Sequence, residues 1–154
     1  MERKQISVKK GEFLQRKGDL NSKIYIVQKG ILRSYAIDEK GKEHIFMFAP
    51  EDWIIADNVP GEQPADLYID AIEDSEVLVR DKDISEVNDT ERLIKRLSVL
   101  QKRVIMLMSA SVIERYQHFI KTYPKITKRV PQRMIASYLG ITPEALSKSK
   151  NYRS

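Results

Sequence analysis

The stretch DTERLIKRLSVLQKRVIMLMSASVIERYQHFIKTY, residues 89–123, decides how this chain of 154 residues is organised. It contains no proline or glycine, and Asp89 or Thr90 suits the position that caps a helix N-terminus. Apolar residues, ending in a serine, recur at alternating spacings of four and three: Leu93, Leu97, Leu100, Val104, Leu107 and Ser111. Such a seam is typical of a helix that pairs along its length with another helix.

A second apolar row lies beside this seam: Ile94, Ile105, Met108, Val112 and Phe119. A helix with two apolar faces has to bury both, most simply one against its own domain and one against a second copy of the chain. At 1.5 Å per residue, one continuous helix would be about 45–50 Å long, too long for the core of so small a domain. The pattern therefore predicts a homodimer interface at the seam, with a central core helix in a monomer as the alternative.

Composition excludes several classes of protein. With no cysteine, the chain has no disulfide, thiolate nucleophile or Cys-ligated metal. His44 and His118 have no acid nearby at metal-ligand spacing and are expected to be surface or packing residues. No Ser-His-Asp set or Gly-rich phosphate loop is present, so neither enzymatic activity nor a cofactor is expected. No apolar run is long enough to span a bilayer and no secretory leader is found, which predicts no membrane partner and a cytoplasmic location.

The net charge of +5 is unevenly distributed. Residues 119–154 contain eight basic residues and one acid and carry +7, which leaves −2 on residues 1–118. A strongly basic end on a mildly acidic body is typical of a segment that meets a polyanion, and a solubilising tail is the alternative.

The first half of the chain is expected to be a small barrel or roll rather than a parallel sheet, because short β-branched and aromatic runs alternate with turns. The sequence DEKG at 38–41 predicts a hairpin turn, residues 57–66 a loop, and residues 83–88 a short helix. The expected strands cover residues 24–27, 31–37, 43–48, 53–55, 67–71 and 77–80.

The segment VPQRMIASYLGITPEALSKSK, residues 130–150, has a helix-turn-helix pattern. Pro131 suits the first turn of a helix, and Gly140 supplies the left-handed residue after it. Thr142 then caps a second helix whose first residue is Pro143. The positions expected to face inward are Ile135, Ala136, Leu139, Ile141 and Leu146. The surrounding charge favours a DNA reader over a helical hairpin of another kind.

The segments KKGEFLQRKGD (9–19) and VPQRMIASYLGITPEALSK (130–148), with the Lys29-Gly30 turn and the long helix between them, resemble the Crp/Fnr family of transcription regulators. The resemblance covers nearly the whole chain. It implies an α+β fold: an antiparallel double-stranded β-roll (jelly-roll-like), cyclic-nucleotide-binding-like, at 1–88, a dimerisation helix at 89–123 and a small helix-turn-helix region at 124–154. It also implies a homodimer that regulates transcription by binding double-stranded DNA, with RNA polymerase as a further expected partner.

The chain departs from this family where members bind a cyclic nucleotide. Such members carry a phosphate cassette with a Gly-Glu pair and, after a loop, an Arg-Ser pair. No Arg or Lys occurs here between Asp52 and Val79, and burying a phosphate without a cation is costly. Cyclic AMP binding by the family's mode is therefore not expected, and an unidentified small-molecule effector or an empty roll are the alternatives. The effector-pocket positions implied by alignment are Ile55, Ala56, Ala65, Asp66, Leu100 and Gln101.

The resemblance also suggests which residues meet DNA. Glu144 and Lys148, with Pro143 and Ser147, are expected in the major groove, where a Glu accepts from cytosine and a Lys donates to guanine. An intrahelical ion pair between Glu144 and Lys148 is the alternative. The expected phosphate contacts are Gln132, Arg133, Thr142 and Lys150.

Two further departures concern the ends of the chain. The expected roll begins almost at the first residue, whereas members usually begin with a helical segment before it. Ser149 stands where a second inward apolar residue of the recognition helix is expected, and the segment after it is too short for a wing hairpin. The competing function is therefore an effector-sensing or protein-interaction module with a degenerate DNA reader.

Overall fold

The chain divides into two compact units, Met1–Ile84 and Ser85–Ser154. The structure, a computed structural model, describes residues 3–82 and 89–151. The short helix predicted over residues 83–88 lies outside the described residues.

The first unit consists of two four-stranded antiparallel sheets in its described residues, with strand orders β1-β8-β3-β6 and β2-β7-β4-β5. This confirms the predicted antiparallel sheet architecture, and with the helices of the second unit it confirms the α+β class. The six strands predicted between residues 24 and 80 correspond to β3–β8. The strands are β1 Lys4–Val8, β2 Phe13–Gln15, β3 Ile24–Lys29, β4 Leu32–Ile37, β5 Glu43–Ala49, β6 Ile54–Ala56, β7 Tyr68–Ala71 and β8 Ser75–Arg80.

The core of this unit is formed by apolar side chains from both sheets. Successive side chains of a strand point to opposite faces, so alternate residues, such as Tyr25 and Val27 of β3 or Ile69 and Ala71 of β7, point into it. Its buried members are Val8, Tyr25, Val27, Leu32, Ala49, Ile55, Ile69, Ala71 and Val77.

Two turns of the first unit depend on glycine. The predicted hairpin between β4 and β5 is present: Asp38 Oδ1 accepts from the N–H groups of Lys40 and Lys42, and Gly41 has φ +80°. Between β3 and β4, Gly30 has φ +96°, and a Cβ there would overlap Ser75 Oγ and lie 2.7 Å from the carbonyl oxygen of Asp74. Only glycine combines that backbone conformation with so close an approach.

A buried ion pair ties β4 to β7. Arg33 Nε lies 2.8 Å from Asp70 Oδ1 and Nη2 lies 3.0 Å from Oδ2, a two-point contact between residues that are in register on the two strands. Arg33 Nη1 also donates to Glu43 Oε2 at 2.7 Å, and the hydroxyl of Tyr35 donates to Asp70 Oδ2 at 3.0 Å. Sequence patterns did not predict this cluster.

The same cluster shifts the ionisation of its members. Burial disfavours the charged form of Arg33, but hydrogen bonds and charges from Asp70 and Glu43 outweigh it and raise the pKa of Arg33. Burial, followed by the negative charge of Asp70, raises the pKa of Tyr35 well above its usual value. The cluster therefore holds a charged guanidinium and a neutral phenol against the Asp70 carboxylate, with Glu43 as a second partner of the guanidinium.

The second unit contains four helices in its described residues: α1 Thr90–Ser109, α2 Val112–Thr122, α3 Gln132–Leu139 and α4 Pro143–Asn151. Asp89 caps α1 as predicted, since its side chain accepts from the N–H of Arg92 at 3.2 Å.

The prediction of one continuous helix over residues 89–123 is wrong. The helix ends at Ser109, Ala110 takes an extended conformation, and a new helix begins at Val112. Ser111 and Glu114 form a capping box: the Ser111 hydroxyl accepts from the N–H of Glu114, whose carboxylate accepts from the N–H of Ser111 at 2.7 Å. The capping box gives partners to two backbone N–H groups that would otherwise be unpaired, so a new helix is favoured at Ser111. The apolar spacing alone shows no interruption there.

Candidate functional site

The loop at residues 57–67 joins β6 to β7, and the carboxylate of Asp57 holds it together. Asp57 is only 4% exposed. Its Oδ2 accepts from the backbone N–H groups of Asp66 and Leu67, both at 2.7 Å, and from Gln15 Nε2 at 3.2 Å. A single buried oxygen therefore connects the start of the loop, its end and strand β2.

Lys82 holds the beginning of the same loop. Its Nζ donates to the carbonyl oxygens of Asp57 at 2.7 Å and Val59 at 2.6 Å, and to Ser22 Oγ at 2.7 Å. Burial lowers the pKa of Lys82, while the charge of Asp57 acts in the opposite direction. Because the ammonium group has three donors and makes three hydrogen bonds, Lys82 fixes the loop to the rest of the domain.

The predicted effector-pocket residues of this unit lie around that loop. Ile55 is fully buried in the core, and Ala56 ends β6. Ala65 is buried. Its backbone N–H donates to the carbonyl oxygen of Asp19, and its carbonyl oxygen accepts from the N–H of Gly18. Asp66 is exposed, and its backbone N–H donates to Asp57.

The two remaining pocket candidates lie on α1, where Leu100 is half-buried and Gln101 is exposed. The grouping of all six residues into one pocket stays a prediction. Sequence reasoning missed Asp57, Gln15 and Lys82, whose roles depend on partners far away in the chain.

In the second unit, α2, α3 and the segment between them pack around three rings. The centroids of Phe119, Tyr123 and Tyr138 lie 5.4–5.8 Å apart. The guanidinium carbon of Arg103 lies 4.0 Å from the centroid of the Tyr138 ring, so α1 contacts the same cluster.

Arg115 connects the break between α1 and α2 to the end of α3. Its side chain donates to three backbone carbonyl oxygens. Nη2 donates to that of Leu107 at 2.6 Å, Nε donates to that of Ala110 at 3.1 Å, and Nη1 donates to that of Leu139 at 3.0 Å. The last carbonyls of a helix have no partner within the helix, so one guanidinium satisfies acceptors at the ends of both α1 and α3. Arg115 therefore fixes the position of α3 relative to the helix break.

The predicted turn chemistry between α3 and α4 is present. Gly140 has φ +67°, in the left-handed region. Thr142 Oγ1 accepts from the N–H of Ala145 at 3.1 Å, and α4 begins at Pro143. Leu146 is fully buried, as are Ile135, Ala136 and Leu139 of α3. Pro131 directly precedes α3, which begins at Gln132.

The residues predicted to contact DNA lie on α3, on α4 and in the turn between them. Lys150 is half-buried, its Nζ donates to Gln132 Oε1 at 3.0 Å, and it lies 4.5 Å from the centroid of the Tyr116 ring. Lys150 and Gln132 are thus held together across the two helices. The other candidates are exposed: Arg133, Thr142, Pro143, Glu144, Ser147, Lys148 and also Gln132.

Helix α1 has no buried residue, although it is rich in large apolar side chains. Of the seam residues, Leu100 and Leu107 are half-buried, and Ser111 lies beyond the end of α1 as the cap of α2. A run of apolar side chains this exposed is typical of a surface that meets another protein. The exposed members of the two apolar rows are Leu93, Ile94, Leu97, Val104, Ile105 and Met108.

Other kinds of site find little support in residues 3–82 and 89–151. No group of three or more His, Cys, Asp or Glu side chains is arranged there to hold a metal ion. His44 is exposed, and its Nε2 lies 2.8 Å from Asp38 Oδ2. This hydrogen bond contributes to the lowered pKa of Asp38. His118 is half-buried on α2, and burial, with the charges of Arg103 and Lys121, lowers its pKa. None of the described helices combines the length and apolar content needed to cross a bilayer.

Residues 5–86, just over half of the chain, match the family model of the cyclic nucleotide-binding domain. The chain belongs to this family. No functionally curated protein matches the sequence. This membership concerns the roll, which contains the loop at residues 57–67.

Several solved structures share the fold of this cyclic nucleotide-binding domain protein. FixK2 from Bradyrhizobium japonicum is 19% identical with a TM-score of 0.80, and the match covers 99% of this chain and 84% of that one. A Crp/Fnr-family transcriptional regulator from Thermus thermophilus is 16% identical with a TM-score of 0.76, covering 97% and 84%. The c-di-GMP-responsive global regulator CLP of Xanthomonas campestris is 13% identical with a TM-score of 0.72, covering 98% and 86%. At these identities the likeness concerns the fold alone.

Proposed function

We propose that this chain is a DNA-binding transcription regulator of the Crp/Fnr type, which acts as a homodimer and does not use cyclic AMP. The observation that supports this most is the pair α3 and α4. Their apolar faces are buried around Leu139 and Leu146, while Arg133, Glu144 and Lys148 are left exposed. A helix pair joined at a left-handed glycine, within a segment of charge +7, suits a helix-turn-helix reader of DNA.

In this proposal, the N-terminal part of α4 enters the major groove. Glu144 then accepts from the amino group of cytosine, and Lys148 donates to O6 and N7 of guanine. Thr142 caps α4, which begins at Pro143, and the first turn of α4 meets the groove. Gln132, Arg133 and Lys150 contact phosphates on either side. Because Lys150 Nζ already bonds Gln132 Oε1, these two side chains are presented to the backbone together.

Dimerisation in this proposal uses the exposed apolar side of α1. Two copies paired there present two α3–α4 units to one face of DNA. The site is then nearly palindromic, with half-sites about 34 Å apart, one turn of the duplex.

A selection of bound fragments from random double-stranded DNA tests the proposal as a whole. We expect a near-palindrome with half-sites one helical turn apart. If the purified protein retards no DNA at low salt, the competing function, a sensing or interaction module, is the better description.

Removing the Lys148 side chain is expected to change which DNA sequences bind. Removing the Arg133 side chain is expected to change how tightly all sequences bind. Lys148→Ala should reduce discrimination at one base pair by about 1–3 kcal/mol, because a lost base contact affects one position. Arg133→Ala should weaken all sites alike and lower the slope of log affinity against log salt by about 2, because the dimer loses one phosphate contact in each half-site. Affinities are measured by fluorescence anisotropy on the selected site and its single-base variants.

Lys128→Ala, an exposed lysine in the segment that precedes α3, is the control with the same loss of charge. Its discrimination should match that of the parent. If Lys148→Ala and Arg133→Ala weaken every sequence equally, the assigned roles are wrong.

Cyclic AMP is expected to give no binding heat when it is titrated into the protein at micromolar concentration in a calorimeter. No Arg or Lys occurs between Asp52 and Val79 to neutralise a phosphate, and the three donors of Lys82 are already used within the domain. Cyclic GMP serves as the second ligand, and micromolar binding of either would contradict the proposal.

A further inference from the structure

The backbone donors at the end of the 57–67 loop are arranged as an anion site. The N–H groups of Asp66 and Leu67 are consecutive, and both point at one oxygen at 2.7 Å. Successive N–H groups that converge on one point form an anion-binding concavity. Here the anion is the Asp57 carboxylate of the same chain, which is 4% exposed.

Gln15 completes this site from strand β2. It is 2% exposed, and its Nε2 donates to Asp57 Oδ2 at 3.2 Å and to the carbonyl oxygen of Leu67 at 2.8 Å. Turning the amide over would place Oε1 against two acceptors, so the donor end has to face the carboxylate. In this orientation Oε1 has no hydrogen-bond partner in the described part of the chain. A buried acceptor left unpaired is costly, so the amide is held in place to donate.

Lys82 lies close to this site, but its three hydrogen bonds go to other acceptors. Lys82 Nζ donates to the carbonyl oxygens of Asp57 and Val59 and to Ser22 Oγ. The Asp57 oxygen is therefore held by N–H donors, from the main chain and one amide, which suit any small oxyanion of the right size.

We propose that Asp57 is a built-in anion: its carboxylate fills an oxyanion site formed by the N–H groups of Asp66 and Leu67 and by Gln15 Nε2, and so closes the 57–67 loop without a bound ligand. The site takes a free carboxylate or phosphate only when the Asp57 side chain is removed. This inference concerns the roll alone and does not depend on the proposed DNA binding.

Chemical rescue tests it on the full chain. Asp57→Ala should lower the melting temperature by about 10 °C, since two partly buried N–H groups and the buried Gln15 amide lose their acceptor. Formate, which together with the alanine methyl group nearly restores the lost side chain, should return at least half of that loss at tens of millimolar, at ionic strength held constant with chloride. Inorganic phosphate is the second probe. The parent, whose site is filled, should show no response to either anion beyond that to chloride.

Two further variants keep the test decisive. Asp57→Asn retains an oxygen that accepts from both N–H groups, so it should stay folded and should not respond to formate. Glu62→Ala removes an exposed carboxylate from the same loop and should behave like the parent. If Asp57→Ala does not fold alone, the folded fraction is measured as formate or phosphate is added. The proposal is overturned if neither formate nor phosphate rescues Asp57→Ala. It is also overturned if formate stabilises Asp57→Asn as much as Asp57→Ala.

Discussion

Replacing Arg33 by alanine is expected to lower the free energy of unfolding by about 3–5 kcal/mol, because it leaves a buried carboxylate without its cation. Asp70 is 6% exposed and receives two of its hydrogen bonds from Arg33, at 2.8 and 3.0 Å. Tyr35 can supply only one donor in their place. The remaining negative charge would lie on the face of the sheet formed by β4 and β7, at a position where Asp70 is largely shielded from solvent.

Urea denaturation followed by circular dichroism measures this loss. Lys29→Ala, an exposed lysine at the end of β3, removes the same charge and should change stability by less than about 0.5 kcal/mol. The double variant Arg33→Met with Asp70→Leu removes both charges and should recover most of the stability, since apolar side chains of similar size often replace a buried pair without loss. A loss below about 1 kcal/mol for Arg33→Ala would show that the pair contributes little.

Turn and cap chemistry could be predicted from the sequence because it depends on neighbours in the chain. Gly140 and Thr142 occupy the conformations that their residue types favour, and Asp89 caps α1 by the same local rule. The strands followed from the spacing of β-branched residues between turns. These parts of the fold need no information from distant residues.

The helix break shows where one local pattern concealed another. The four-and-three apolar spacing continues from Leu107 to Ser111, and it predicted a continuous helix. The Ser-x-x-Glu motif at Ser111 and Glu114 was also visible, and it decides the structure because the capping box satisfies backbone donors there. The three carbonyl oxygens bound by Arg115 stabilise the break further.

The clusters that sequence reasoning missed are formed by residues far apart in the chain. Arg33 and Asp70 are 37 residues apart and meet because β4 and β7 pair in one register. Gln15 and Asp57 are 42 residues apart. In the sequence, each of these residues reads as an ordinary polar position in a strand or loop. Strand pairing, which the local patterns do not specify, turns them into buried partners.

Placing a charge on the exposed side of α1 is expected to have the largest effect on function. Leu97 lies in the middle of the apolar seam and is 65% exposed in the single chain. In the proposed homodimer it faces the partner, so Leu97→Glu would bring two like charges into an apolar interface. We expect the dimer dissociation constant to rise at least about a hundredfold, equivalent to about 3 kcal/mol. Affinity for a two-half-site DNA should fall by a factor of about 10² or more, because the two readers are no longer linked.

The same exposure separates assembly from folding. A side chain that is largely solvated in the single chain contributes little to its stability, so the melting temperature of the Leu97→Glu protein, extrapolated to low concentration, should match that of the parent. Lys102→Gln changes the charge equally on the opposite face of α1 and should leave sedimentation unchanged. Either of two results would show that the apolar side of α1 is not a dimer interface. One is that the parent sediments as single subunits at working concentration, and the other is that Leu97→Glu is as dimeric as the parent. DNA affinity that falls while the dimer persists would place Leu97 near the DNA rather than between subunits.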